Sequence, residues 1–315
     1  MNKDRVLISV VIPSYNRAET VGQTIESILA QKVDANIEIV IGDDCSTDNA
    51  REVLLKYKEQ HPDTIKLLFH EQNMGLGANW ATCVKACKGK YICNCDNDDY
   101  WHNEQKLQIQ LDFMESHPES NICITNHREY NRTTGEIKEC KSAIDHSDIQ
   151  KSMWGGCRFC NATIMYRADF MNAHLDLDEF IKRHFTLQDW PAWVILTAYT
   201  DIDELPESTA TWCLETVSIT RPDSVGRYAK RLNGDKEVCR YLGELFPEKF
   251  PYTDEMWDNY AAGLLMAKAF DVGDYESAKK YSKMYGGHSI RTLCAKTWLS
   301  FQLFRLARRI KLEMK

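Results

Sequence analysis

The 315-residue chain is 43% hydrophobic and 27% charged, a balance that supports a buried core and excludes disordered and collagen-like classes. Its net charge of -7 lacks the basic footprint that phosphate-backbone binding demands, which excludes nucleic acid as a partner. The length fits one large α/β domain carrying an appendage.

Leu7 to Ile12 is a compact apolar run closed by Pro13, and Val21, Ile25, Ile28 and Leu29 then recur at helical spacing. Ile37 to Ile41 is a second, β-branched run. Gly42-Asp43-Asp44-Cys45-Ser46-Thr47-Asp48 follows it, then a helix carrying Val53, Leu54 and Tyr57. Ile65 to Phe69 predicts a third strand, the Asn73-Met74-Gly75-Leu76-Gly77 turn opens a helix through Trp80 and Val84, and Tyr91 to Cys95 predicts a fourth strand. Such alternation predicts a parallel sheet covered on both faces. Ligands of these sheets collect beyond the carboxyl ends of the strands. Pro13, Tyr15 and Asn16, then Asp43 and Asp44, then Asn73 and Gly75, then Asp96, Asp98 and Asp99 are therefore expected on one rim.

Beyond residue 104 the spacing predicts a helix over 104–116, a strand near 122–125 and a loop over 131–152. Helical patterning returns over 187–200 and dominates from 236, where 266–282 reads as a helical hairpin turning at Gly273-Asp274-Tyr275. Residues 290–315 form a basic amphipathic pattern, with Leu293, Trp298, Leu299, Phe301, Leu303, Phe304, Leu306 and Ile310 between Arg305, Arg308, Arg309, Lys311 and Lys315. This suits either peripheral contact with an anionic membrane surface or a helix packed on its own domain with a solvated basic face. No run of about 18 uninterrupted apolar residues predicts a membrane span. Met1 to Arg5 leads directly into an apolar strand without signal-peptide features, so a cytoplasmic location is expected, at most peripheral to the inner face of a membrane. The twelve cysteines are then expected as reduced thiols. Cys157 and Cys160 form a lone C-x-x-C, without the second ligand pair that a structural zinc site needs.

Asp96-Asn97-Asp98-Asp99 sets three carboxylates within four residues directly after an apolar strand. Crowding raises carboxylate pKa values unless a cation compensates. Hard oxygen ligands, few in number, suit Mn²⁺ or Mg²⁺, which bind substrate phosphates in their remaining positions. A solvated acidic turn uses the same residue types.

Taken in order, Pro13-Ser14-Tyr15-Asn16, Asp43-Asp44-Cys45-Ser46-Thr47-Asp48, Asn73-Met74-Gly75-Leu76-Gly77-Ala78-Asn79 and Asp96-Asn97-Asp98-Asp99 resemble the nucleotide-sugar-binding half of family 2 glycosyltransferases. The resemblance implies a GT-A fold, a Rossmann-like, mostly parallel sheet covered by helices, here with a helical C-terminal extension. It implies a GT-A domain over 1–230, divided into a donor-binding part (1–105) and an acceptor part (106–230), and an extension over 231–315. In this likeness Pro13 and Tyr15, with Asn16 in the same motif, shape the base pocket. Asp44 or Asp43 accepts a hydrogen bond from the base, though Asp43 also suits a helix cap. Gly75 and Gly77 admit the donor or simply make a tight turn. Asp96 and Asp98 meet ribose or metal, and Asp98 or Asp99 ligates an ion that stabilises the departing diphosphate.

Leu187-Gln188-Asp189-Trp190-Pro191 resembles the family's segment that supplies the general base, which makes Asp189 that base and implies inversion at the anomeric carbon. Gln188 stands where the family often has an acid, and Asp189 also fits a helix start before Pro191. Trp190 and Trp193 suit either a sugar face or the core. Asn161-Ala162-Thr163 corresponds to the acceptor border. Arg221 and Arg227 lie where the family has a loop closing over the diphosphate, and suit surface charges equally. The implied partners are a nucleotide-sugar donor, a UDP-sugar above others, and a glycan or lipid-linked glycan acceptor. Two competing classes are a non-catalytic binding protein on the same fold and a metal-dependent nucleotidyltransferase. The latter would need a glycine-rich basic loop after the first strand, which Pro13-Ser14-Tyr15-Asn16 does not supply.

Overall fold

The structure, a computed structural model, describes residues 7–154, 156–214 and 222–313. It divides into two compact units, Met1–Glu215 and Thr216–Lys315. The division falls before the boundary at 230 expected from sequence, because one continuous helix, Val225–Leu245, runs through that position.

The first unit opens with β1 (Leu7–Ser14), α1 (Val21–Leu29), β2 (Asn36–Asp43), α2 (Ala50–Gln60), β3 (Ile65–Phe69), α3 (Leu76–Ala86) and β4 (Tyr91–Asn94). The short strand β5 (Tyr100–Trp101), α4 (Lys106–Ser116), β6 (Ile122–Asn131), β7 (Ile137–Cys140) and α5 (Ile149–Ser152) follow. After a 3-10 turn at Asn161–Thr163 come β8 (Met165–Arg167), α6 (Ala168–His174), α7 (Leu177–Arg183), α8 (Asp189–Leu196) and β9 (Asp203–Leu214). The strands form one sheet in the order β3-β2-β1-β4-β8-β6-β9-β5, with β7 paired to β6. The block β3-β2-β1-β4 is parallel, as the alternation predicts. Beyond it the sheet is mixed, because β8 pairs antiparallel with both β4 and β6 while β6 runs parallel to β9.

Burial on both faces explains the largely apolar runs of β1 and β2. Ile8, Val10, Ile12, Ile39 and Ile41 share one core with Val21, Ile25 and Ile28 of α1 and Leu54 of α2. Pro13 is tolerated inside β1 for a geometric reason. The Lys90 and Cys95 N–H groups donate to Leu7 and Val11 C=O, so the odd residues of β1 face β4. Pro13 falls on that side just past the last pair, Val11 with Asn94, where its missing N–H breaks no rung.

The second unit is helical, with α9 (Val225–Leu245), α10 (Asp254–Val272), α11 (Tyr275–Met284), α12 (Ile290–Cys294) and α13 (Trp298–Glu313). Ser224, Thr253, Asp274 and Ser289 cap the first four, each accepting from a backbone N–H of the first turn. Gly273 ends α10 with φ 85° and Asp274 starts α11, which makes the hairpin turn the sequence predicts. Residues 290–313 form two helices rather than one, broken between Cys294 and Trp298. Phe301 packs on Phe270 and Tyr275 inside this unit's core.

Candidate active site at the carboxyl ends of the strands

The loops after β1 and β2 are stitched together by Asn16. Its N–H donates to Ser46 Oγ (2.9 Å), and its Oδ1 accepts from Thr47 N–H (2.8 Å). Asn16 does this in the left-handed region, φ 50°, which asparagine tolerates better than most residues. Tyr15 beside it is 44% exposed, an aromatic face on the rim, whereas Pro13 is buried in β1.

Asp43 and Asp44 close β2 and serve different neighbours. Asp43 Oδ2 takes the Arg51 guanidinium at 2.6 Å and the Ser46 N–H at 3.2 Å, while Oδ1 is buried without a hydrogen bond. Asp44, 2% exposed, accepts Met74 N–H on Oδ1 (2.6 Å) and Gly75 N–H on Oδ2 (2.9 Å). Its carboxylate therefore fixes the turn after β3. Gly75 holds φ 85° and ψ 158°, a combination open essentially to glycine alone. Gly77 meets a different demand. A Cβ there would lie 2.6 Å from Phe185 C=O, and the Gly77 N–H donates to that same carbonyl. It packs α3 against the segment leading to α8 rather than clearing space for a ligand.

The acidic turn after β4 is clamped from below. Thr20 and Thr24 of the α1 region donate hydroxyls to Asn97 C=O (2.8 Å) and Asp99 C=O (2.6 Å), and Asn97 donates to Ser14 Oγ (3.2 Å). The three carboxylates then diverge. Asp99, 4% exposed, accepts the Cys213 N–H of β9 at 2.8 Å, and burial followed by the Asp98 and Asp96 charges pushes it well above the usual carboxylate range. Asp98 is partly exposed and pairs with Arg17 Nε at 3.3 Å, while Arg132 Nη2 holds its main-chain carbonyl at 2.9 Å. Desolvation, then the charges of Asp98 and Asp189, raise Asp96 to about 7, against the opposing amides of Asn161 and Gln188. Gln188 Nε2 donates to Asp96 Oδ1 at 3.2 Å.

The fold thus brings the start of α8 to the acidic turn, across ninety residues of sequence. Asp189 sits in the first turn of α8, where its Oδ1 accepts Trp190 N–H at 2.7 Å. The 3-10 turn at 161–163 adjoins the same place, since Asn161 Oδ1 accepts from buried Asn94 Nδ2 at 3.1 Å. Trp190 and Trp193 belong to the core. Trp193 packs on Tyr166 and Phe159, and Trp190 Nε1 donates to Met153 C=O at 2.8 Å. Cys157 and Cys160 lie among the same acids, their thiols pushed well above the usual range by burial first and then by Asp189 and Asp99 respectively.

Arg227 lies in the second unit, at the start of α9, where it pairs with Asp223 at 3.0 Å. Arg221 lies outside the described residues. Arg17, Arg132 and Asn94 were not singled out by sequence. Arg17 carries a weak signal, a cation directly after the Pro13–Asn16 motif. Arg132 carries none, because only the β6–β7 turn delivers it.

A metal fits the turn by its chemistry. Asp98 offers accessible hard oxygen beside Asp96, Asp96 and Asp99 are raised by burial and then by the neighbouring carboxylate charges, and Arg17 pairs with Asp98. Asp99, also expected as a ligand, has its Oδ1 engaged by the Cys213 N–H of β9.

A 114-residue stretch is 35% identical to the putative teichuronic acid biosynthesis glycosyltransferase TuaG of Bacillus subtilis, covering 36% of this chain and 44% of that protein. Over 112 residues the chain is 39% identical to the Escherichia coli UDP-Glc:alpha-D-GlcNAc-diphosphoundecaprenol beta-1,3-glucosyltransferase WfaP, covering 35% and 42%. The matched stretches thus span under half the length of these curated relatives. The structure of S. aureus TarS 1-349 with UDP superposes with a TM-score of 0.53 at 16% identity, covering 98% of this chain and 92% of that one. A mannosyltransferase from Pyrobaculum calidifontis, solved with GDP-Man and Mn2+, superposes with a TM-score of 0.52 at 14% identity, covering 96% and 88%. These likenesses show the GT-A fold. The model of glycosyl transferase family 2 matches residues 9–172, more than half of the chain, and the chain belongs to that family.

Proposed function

We propose that the protein transfers a sugar from a nucleoside diphosphate donor, a UDP-sugar above others, to a hydroxyl of a glycan or lipid-linked glycan, with inversion at the anomeric carbon. The observation that carries this reading is the approach of Asp189 and Gln188 to Asp96. It sets a candidate base beside a candidate diphosphate site.

In this reading Tyr15 stacks on the base, and Asp44, held by the Met74 and Gly75 N–H groups, uses its remaining lone pairs to accept a base N–H. Asp43 contributes through Arg51 and the Ser46 loop. Asp98, with Asp96, would hold Mn²⁺ or Mg²⁺, which supplies charge neutralisation for the leaving diphosphate. Arg17 exchanges Asp98 for a phosphate oxygen when the donor arrives. Asp189 takes the proton of the acceptor hydroxyl as its oxygen forms the new bond to the anomeric carbon. The bond from that carbon to the phosphate oxygen breaks, and the nucleoside diphosphate leaves with the electron pair.

Exposed Ile290, Leu293, Trp298, Leu299, Leu303 and Leu306, each 55–65% accessible, give α12 and α13 an uncovered apolar face. Arg291, Lys296, Arg305 and Arg308 are interleaved with it. This composition matches an anionic bilayer surface, where a lipid-linked acceptor would reside. No helix among the described residues is long and apolar enough to cross a membrane.

The test is sugar transfer with Mn²⁺ across a panel of UDP-, GDP- and dTDP-sugars. Asp189→Asn keeps the hydrogen bond to Trp190 N–H, so its transfer activity is expected to fall while donor binding persists. Undiminished transfer by this variant would remove Asp189 from the role.

A further inference from the structure

Away from the carboxyl rim, the hairpin of β6 and β7 carries a second set of metal-capable side chains. His127 and Glu129 alternate along β6 and so project from one face of the strand. Cys140, the last residue of β7, pairs directly with His127 across the antiparallel ladder. One ligand atom from each of the three residues lies within 4.8 Å of both others, and they are the one such group among the described residues. His127 is buried, while Glu129 and Cys140 are partly exposed.

We propose that His127, Glu129 and Cys140 bind a zinc-type divalent cation, at a site separate from the carboxylates of the rim. Ligand chemistry selects the ion. A soft thiolate, a borderline imidazole and one carboxylate form a mixed set that favours the borderline ion Zn²⁺, whereas Mn²⁺ and Mg²⁺ prefer the all-oxygen set around Asp98. Geometry agrees, since tetrahedral bonds to sulfur and nitrogen set those atoms about 3.5 Å apart, a span that small side-chain adjustments reach here. Three protein ligands leave a fourth position for water on the open side.

The structural consequence lies at β7. This strand pairs with β6 alone, and three of its four residues are exposed. A cation joining Cys140 to His127 and Glu129 would pin the end of the hairpin to a strand at the centre of the mixed half-sheet. The site does not depend on the proposed transfer reaction.

The test is titration of the purified full-length chain with Co²⁺ as a spectroscopic stand-in for Zn²⁺, followed by metal analysis of the zinc form after dialysis. The expected result is one equivalent of bound metal with a thiolate-to-cobalt charge-transfer band in the near ultraviolet. That band should be lost in Cys140→Ser and in His127→Gln, and retained in Cys157→Ser. Zinc should raise the melting temperature of the wild type and of Cys157→Ser but not of Cys140→Ser, which separates metal binding from simple misfolding. Absence of the band in the wild type, or its survival in Cys140→Ser, would overturn the assignment.

Discussion

Gln188 Nε2 donates to Asp96 Oδ1 at 3.2 Å, and this bond ties the N-cap of α8 to the acidic turn after β4. The amide stabilises the charged form of Asp96 and so opposes the burial that raises it. Gln188→Leu removes that donor without adding a charge. The acid limb of the pH–rate profile is expected to move to higher pH, with donor affinity at high pH little altered. A profile that falls uniformly at every pH would indicate general disruption instead.

Proton competition at Asp96 gives the rim a predictable pH dependence. Its pKa of about 7 means that the folded protein binds a proton there which the unfolded chain releases near pH 4. Stability from this group is present below about pH 4 and declines as pH rises toward 7. Metal affinity has the opposite trend, because the cation requires the carboxylate. Calorimetry in buffers of different ionisation enthalpy is expected to show Mn²⁺ binding strengthening up to pH 7, with proton release below it. Asp96→Asn should flatten both trends.

The rim at the carboxyl ends of β1 to β4 was visible in the sequence because each motif follows a largely apolar strand, so that parallel topology alone brings Tyr15, Asn16, Asp44, Gly75 and Asp98 to one end of the sheet. Other parts were hidden for physical reasons. The strands β7, β8 and β9 are polar, short or partly exposed, and their pairing follows from long-range register rather than local periodicity. The inward turn of Asp99 depends on the Cys213 N–H, supplied by β9 from far along the chain. The engagement of Asp44 by Met74 and Gly75 is likewise invisible to spacing. Asp189, by contrast, is singled out by the resemblance of Leu187–Pro191, and its charge is one of the influences that raise the Asp96 carboxyl, after burial and Asp98.

Asp98 and Asp99 are expected to respond differently to substitution. Asp99→Ala leaves the buried Cys213 N–H without its acceptor and should destabilise the protein by about 1–3 kcal/mol. Asp99→Asn retains an acceptor oxygen and should lose much less. Asp98→Asn should melt near the wild-type temperature while losing metal-dependent nucleotide binding. Thermal denaturation of the three variants, with and without Mn²⁺, distinguishes these outcomes.

Two glycines three residues from Met74 or nearer separate backbone strain from packing. Gly75→Ala forces φ 85° on a residue with a Cβ, and is expected to destabilise by about 1–3 kcal/mol and to loosen the Asp44 turn. Gly77→Ala drives a methyl into the Phe185 carbonyl at 2.6 Å and should displace the segment before α8. Denaturant unfolding measures the first, and transfer kinetics should show a larger loss in kcat for the second.

The apolar face of α12 and α13 should bind vesicles containing phosphatidylglycerol. Leu299→Glu with Leu303→Glu places charges at two exposed positions outside the helical core. Co-sedimentation is expected to fall strongly in this variant while its helical content is unchanged. Equal binding to neutral vesicles would remove the electrostatic part of the account.

The most direct test is calorimetric titration of UDP, GDP and dTDP into the wild type and Asp98→Asn, each with and without Mn²⁺. Mn²⁺-dependent binding of a nucleoside diphosphate, UDP before the others, is expected in the wild type, and its loss in Asp98→Asn. No binding by the wild type in the presence of Mn²⁺, or equal binding by Asp98→Asn, would contradict it.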